Sequence, residues 1–122
     1  MNDRKWGGAL GWGAALLVVW GVGCRPAESQ ESAKGKALFE SVCARCHGRD
    51  GRGGAPVAGG ITPRNFADPT FQRTRTDPLI RDAIVKGRSN GAMPPFGTTF
   101  TDEELGALVQ HIRAIGAREE NR

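Results

Sequence analysis

No tyrosine occurs in the 122 residues, and the three tryptophans (Trp6, Trp12, Trp20) all stand within the first twenty. Past Cys24 the large aromatics are five phenylalanines and nothing else. A chain of this length makes one domain. A domain so poor in large side chains buries too little apolar surface to be stable without a staple. Three cysteines allow at most one disulfide, so a disulfide framework is excluded. The staple expected is therefore a metal or a cofactor. Blocks of one charge are also missing. The net charge is +4, and past Cys24 the balance is 15 basic against 12 acidic side chains, with arginines scattered singly. Nucleic-acid binding calls for a basic stripe with interleaved aromatics, so that class of partner is excluded.

A long apolar run is lacking too. Residues 6–23 carry no charge, but six of these eighteen residues are glycine and only 14–20 are densely apolar. A spanning helix needs about 20 apolar residues, whereas the apolar region of a signal peptide needs only about 7–15. With Arg4 and Lys5 ahead of it, the segment 1–24 reads as an export leader, either a cleaved signal peptide or a lipoprotein-type leader. Gly21-Val22-Gly23-Cys24 places small residues where a leader peptidase reads, and it resembles a lipobox that has Gly21 where a large aliphatic is usual. Cys24 is the candidate lipidation site. Export puts the protein in the periplasm or on the outer face of the cytoplasmic membrane, with membrane contact only through the leader or that lipid.

Residues 25–32 read as a polar tether, 33–117 as the folded domain and 118–122 as a polar tail. Residues 34–42 are good helix formers, and Gly35, Phe39, Val42, Cys43 and Cys46 recur at helical spacing. Residues 48–60 hold six glycines in thirteen and form a loop. The stretch 63–75 has two prolines and no period, and is expected to be irregular. Asp77-Pro78 marks a helix start, with Asp77 as N-cap, and Gly87 its stop. Thr101 to Glu104 is a capping box, followed by Leu105, Leu108, Val109, Ile112 and Ile115 at helical spacing, with Gly116 expected to end the helix. No segment alternates like a strand. The fold expected is all-α, three main helices joined by long loops. Loops of that length in so small a domain require something at the centre to hold them.

Cys43-Ala44-Arg45-Cys46-His47 is the C-x-x-C-H signature of haem attachment. On one helical turn the two thiols can each add to a vinyl group, and the adjoining imidazole supplies a proximal iron ligand. A zinc site needs four ligands, and only His111 and Cys24 remain as further candidates. A thioredoxin-like dithiol needs a βαβ setting. Met93 lies in Gly91-Ala92-Met93-Pro94-Pro95-Phe96-Gly97, where the prolines forbid a helix and stiffen the backbone. A thioether aimed from such a loop fits a second axial ligand. His111 competes for that place, but it sits at the edge of the last helix's apolar stripe and reads as a packing residue.

Taken together, these motifs resemble a class I c-type cytochrome of the bacterial mono-haem type with an export leader. The likeness covers about residues 33–117 and rests on Gly35, Phe39, the C-x-x-C-H-Gly run, the Gly-rich loop, Pro63-Arg64-Asn65-Phe66, Met93-Pro94-Pro95-Phe96 and Leu108. It implies a small cytochrome c-like fold around one covalent haem c, bonded to Cys43 and Cys46 and ligated by His47 and Met93. It also implies a helix crossing at Gly35, Phe39 and Leu108. A proline carbonyl is expected to accept the His47 N–H, with Pro63 preferred over Pro56. Phe66, Phe71, Phe96, Ile80 and Ile84 are expected to wall the pocket, and Arg64, Arg73 and Arg75 to lie near the haem propionates.

The function implied is one-electron transfer without catalysis of its own. The partners implied are a dehydrogenase or respiratory complex as donor and an oxidase as acceptor. Two alternatives follow from the same residues: a dedicated haem subunit of a periplasmic oxidoreductase, or a ligand-binding or peroxidatic haem protein if Met93 does not hold the iron.

Overall fold

The computed structural model describes residues 30–121. The leader, Cys24 and residues 25–29 of the expected tether lie outside the described residues. Helix α1 (Gln30–Leu38), one π-helical turn (Phe39–Cys43) and α2 (Ala44–His47) form a continuous helical run. There follow α3 (Pro69–Thr74), α4 (Asp77–Lys86) and α5 (Asp102–Glu120). Among the described residues there is no strand, only the isolated antiparallel bridges Val57–Ile61 and Arg88–Met93. None of the described helices is long and apolar enough to cross a membrane. The all-α architecture with long loops is the one expected.

The frame is the packing of α1 along α5. Gly35 makes it possible: a Cβ built there would stand 2.0 Å from the Ala107 carbonyl oxygen, so any side chain would force the helices apart. Phe39 and Leu108 are wholly buried at this contact, and the Phe39 ring lies 5.1 Å from that of His111. The α5 stripe of Leu105, Leu108, Val109, Ile112 and Ile115 is buried as its periodicity requires. Each such side chain contributes about 1.5–3 kcal/mol when removed from water. The capping box forms as read: Thr101 Oγ1 accepts from Glu104 N–H and the Glu104 carboxylate accepts from Thr101 N–H.

Several boundaries differ from expectation. Helix α1 starts at Gln30, inside the stretch read as a tether, and α5 runs to Glu120, through most of the expected tail. The N-cap of α4 is Thr76, with Asp77 and Pro78 inside the first turn. Residues 69–74, read as irregular, form α3, started by Asp68, whose carboxylate accepts from Thr70 N–H at 2.8 Å, and by Pro69 at the first helical position. Gly116 does not stop α5. It is buried within the helix, and a Cβ there would meet Gln72 Cγ at 2.5 Å. The glycine leaves space for α3 instead of ending α5.

Candidate haem site

The turn that ends the first helical run sets the site. The π-helical segment, which ends on Cys43, winds less per residue than the α-helix around it and so resets the face on which the following residues stand, a feature common at functional sites. Cys43 is then half-buried, Cys46 exposed and His47 buried. The Gly-rich loop doubles back beneath α2: Gly53 N–H donates to the His47 carbonyl (2.9 Å) and Gly54 N–H to that of Cys46 (3.0 Å). These bonds satisfy carbonyls that a helix end otherwise leaves orphaned.

His47 is held in two ways. Its Nδ1–H donates to the Arg64 carbonyl at 3.1 Å. A carbonyl can only accept, so Nδ1 carries the proton and Nε2 presents a bare lone pair. Its ring also stacks on Phe66, with centroids 4.5 Å apart and planes at 23°. Burial holds the imidazole's pKa below its usual value, against the Arg64 bond, which acts to raise it. Burial, with the neighbouring Cys46 charge, pushes the Cys43 thiol up to about 11. The expected proline carbonyl is thus corrected: the acceptor is Arg64, one residue beyond Pro63, and Pro56 has no part in it.

Met93 is fixed by its backbone. Arg88 N–H donates to the Met93 carbonyl (3.0 Å) and Met93 N–H to that of Arg88 (3.1 Å). Gly87, at φ +72°, permits this clasp: a Cβ there would lie 2.5 Å from the Met93 carbonyl oxygen. Beyond the prolines, Phe96 N–H and Gly97 N–H donate to the carbonyls of Ile84 and Val85 at 2.9 and 3.2 Å. The methionine loop therefore caps α4, and α4 in turn anchors the loop.

Cys43, Cys46, His47 and Met93 all line one cavity of about 610 Å³, together with Pro63, Phe66, Phe71, Ile80, Ile84, Phe96, Phe39 and Leu108. That volume lies within the range of about 300–1,000 Å³ common to cofactor sites. Its charged lining residues are all arginines: Arg45, Arg64, Arg75 and Arg88. Arg73, expected beside them, is not part of the lining, nor is His111, which is buried in the helix contact. Arg45 and Arg88 were not singled out in the sequence. Nor were Val57 and Ile61, which line the cavity and are paired by an isolated bridge at the end of the glycine-rich stretch.

The donor set fits haem. Two thiols, an imidazole with a free Nε2 and a thioether face one apolar cavity, and guanidinium groups are present to meet carboxylates. Among the described residues, no three His, Cys, Asp or Glu side chains gather as a metal ion would require. A zinc site on Cys43 and Cys46 finds no further ligands there.

The family model for cytochrome c oxidase, cbb3-type, subunit III matches residues 30–112. The cbb3-type cytochrome c oxidase subunit CcoP of Rubrivivax gelatinosus is 31% identical over 103 residues, which cover 80% of this chain and 32% of that protein. Subunit FixP of Rhizobium etli is 30% identical over 102 residues, with the same coverage of 80% and 32%. The chain thus spans about a third of the length of these relatives. Cytochrome c6 of Rippkaea orientalis is 27% identical over 96 residues, covering 73% of this chain and 75% of that one. Among solved structures, the KustC0563 c-type cytochrome matches with a TM-score of 0.60 and 34% identity, covering 66% of this chain and 95% of the other. A match that runs from Gln30 to Ile112, on this fold and around this donor set, makes the chain a class I c-type cytochrome belonging to the cbb3-type cytochrome c oxidase subunit III family.

Proposed function

We propose that this chain carries single electrons through one haem c outside the cytoplasmic membrane. Cys43 and Cys46 would hold it through thioether links, and His47 Nε2 and Met93 Sδ would ligate its iron. The observation that carries this reading is the meeting of the Cys43–His47 turn and Met93 on a single cavity. The sequence contains one C-x-x-C-H run, which supports one haem per chain. Haem, when bound, supplies one-electron chemistry as its iron alternates between ferrous and ferric.

The chain's own contribution is to keep both ligands still. Arg64 and Phe66 fix the imidazole from its edge and its face. The paired Arg88–Met93 bonds fix the thioether's backbone. Ligands held this firmly change little between oxidation states, which keeps the reorganisation energy low. A soft thioether and an apolar wall both favour the reduced form and raise the potential. The leader at 1–24 would deliver the chain to the outer face of the membrane, with Cys24 as the lipid attachment.

The family points to the partners. The relatives named for cbb3-type oxidase favour a terminal oxidase as acceptor and a respiratory complex or dehydrogenase as donor. The same observation supports a second reading, in which this chain is a dedicated subunit of one oxidase. Co-purification from membranes with a fixed stoichiometry would favour that reading, and a freely soluble chain would favour the carrier.

Absorption spectra of the exported protein, oxidised and reduced, test the proposal together with pyridine haemochrome analysis. One covalent haem per chain, low-spin in both states, with a far-red ferric band from methionine ligation is the expected result. Colourless protein, or a high-spin ferric form that takes up peroxide or whose reduced form takes up carbon monoxide, would overturn it.

A further inference from the structure

We propose that Gln72 is a positioning residue for the iron-binding imidazole: its side-chain amide holds Phe66 so that the Phe66 ring stays stacked on His47. This inference rests on the haem reading given above.

Gln72 lies half-buried on α3 with every polar atom of its amide engaged. Nε2 donates to the Phe66 carbonyl at 2.7 Å and to the Ile112 carbonyl at 3.0 Å. Oε1 accepts from Arg113 Nη1 at 2.9 Å. A guanidinium has only donors, so the atom facing it must be the oxygen, and the amide's orientation is thereby fixed. Arg113 is itself immobilised, donating from Nε to Asp77 Oδ1 (2.7 Å), from Nη1 to the Gln72 carbonyl (2.9 Å) and from Nη2 to the Arg75 carbonyl. Gly116 supplies the space, since a Cβ there would overlap the Gln72 side chain.

The chain of contacts ends at the iron ligand. Phe66 is tied at both ends of its backbone unit, by its N–H to the Gly51 carbonyl (2.8 Å) and by its carbonyl to Gln72. Its ring stacks on His47. The edge constraint on His47 comes from Arg64, two residues earlier in the same segment. Residues 64–66 therefore set both the tilt and the rotation of the imidazole, and Gln72 holds the end of that segment to α5. Release of that end leaves the Arg64 bond as the restraint on the ring's edge and loosens the stack on its face, so the imidazole plane shifts within the play that one hydrogen bond allows.

The plane of an axial imidazole governs how unpaired spin spreads over a ferric haem, so haem-methyl proton shifts and ferric g values report it directly. Two variants of the haem-loaded protein separate positioning from mere support. Gln72→Met keeps the length and removes every amide bond. Gln72→Glu keeps an acceptor for Arg113, hence one of the two α3–α5 ties of the amide, and replaces the donor to Phe66 and Ile112 with an oxygen that their carbonyls repel. The expected result is a shifted haem-methyl pattern and shifted g values in both variants, with the melting temperature lowered in both, since each loses the bonds to Phe66 and Ile112. Wild-type shifts and g values in Gln72→Glu would overturn the proposal, whatever the stability, and that variant decides the matter should Gln72→Met fail to fold. Wild-type protein without low-spin covalent haem would instead bring down the underlying reading. Loaded wild-type with spectrally silent variants removes the positioning role alone.

Discussion

Arg88 and Met93 clasp each other through two backbone hydrogen bonds across a turn in which Ser89, Asn90 and Gly91 all have positive φ. Asparagine and glycine tolerate that region, but serine does not adopt it readily. The clasp closes the methionine loop at the expense of local strain at Ser89, whose φ is +56°.

Replacement of Ser89 by glycine should therefore stabilise the folded protein. The relief of left-handed strain, about 1–2 kcal/mol, exceeds the added chain entropy of glycine, roughly 0.5–1 kcal/mol. A net gain of about 0.5–1 kcal/mol is expected. Thermal unfolding of the holoprotein checks it, and the far-red ferric band should persist because Met93 keeps its clasp.

Met93→Ala should leave the covalent haem in place, since Cys43 and Cys46 are untouched. Loss of the soft ligand should lower the reduction potential and open the iron to carbon monoxide. Potentiometry and a carbon monoxide difference spectrum measure the two effects. An unchanged potential and an unchanged spectrum would remove Met93 from the iron.

Two glycines on the helix pair should respond with opposite sign. Gly35→Ala drives a Cβ against the Ala107 carbonyl, a backbone atom that cannot rotate away. The cost expected is at the upper end of the about 1–3 kcal/mol typical of overpacking. At Gly106, inside α5, a Cβ meets only Glu31 Oε1 at an ordinary 3.6 Å. Gly106→Ala should gain about 0.5–1 kcal/mol through helix propensity. Urea unfolding of both variants gives the comparison.

The contrast between those glycines marks what the sequence could and could not disclose. Helical periodicity put Gly35 and Phe39 on one face of the first helical run and Leu108 on the apolar stripe of the last helix, and the family resemblance implied that the two cross there. The C-x-x-C-H run and the proline-stiffened Met93 loop stood out by their motifs, and the structure brings both to one cavity. Gly116 was misread because a glycine after an apolar stripe looks like a stop, and nothing local reveals the Gln72 side chain packed against it. Asp68-Pro69 carried the same start signal as Asp77-Pro78, but a six-residue helix has no periodicity with which to show itself. The Arg64 carbonyl was beyond reach for a simpler reason: every residue has a backbone oxygen, so only the tertiary path decides which one meets His47.

The arginines of the cavity offer a last test, because they separate residues that sequence proximity had grouped together. Arg64 and Arg75 line the cavity, whereas Arg73, between them in sequence, does not. A positive charge near the iron disfavours the ferric state, so its removal should lower the reduction potential. Arg75→Gln and Arg64→Gln are therefore expected to lower it more than Arg73→Gln does, and by more at low ionic strength than at high, where exposed charges are screened within about 8–10 Å. Potentiometry of the three variants at two salt concentrations measures the order. Equal shifts for Arg73 and Arg75 would mean that net charge, and not a place on the cavity wall, sets the effect.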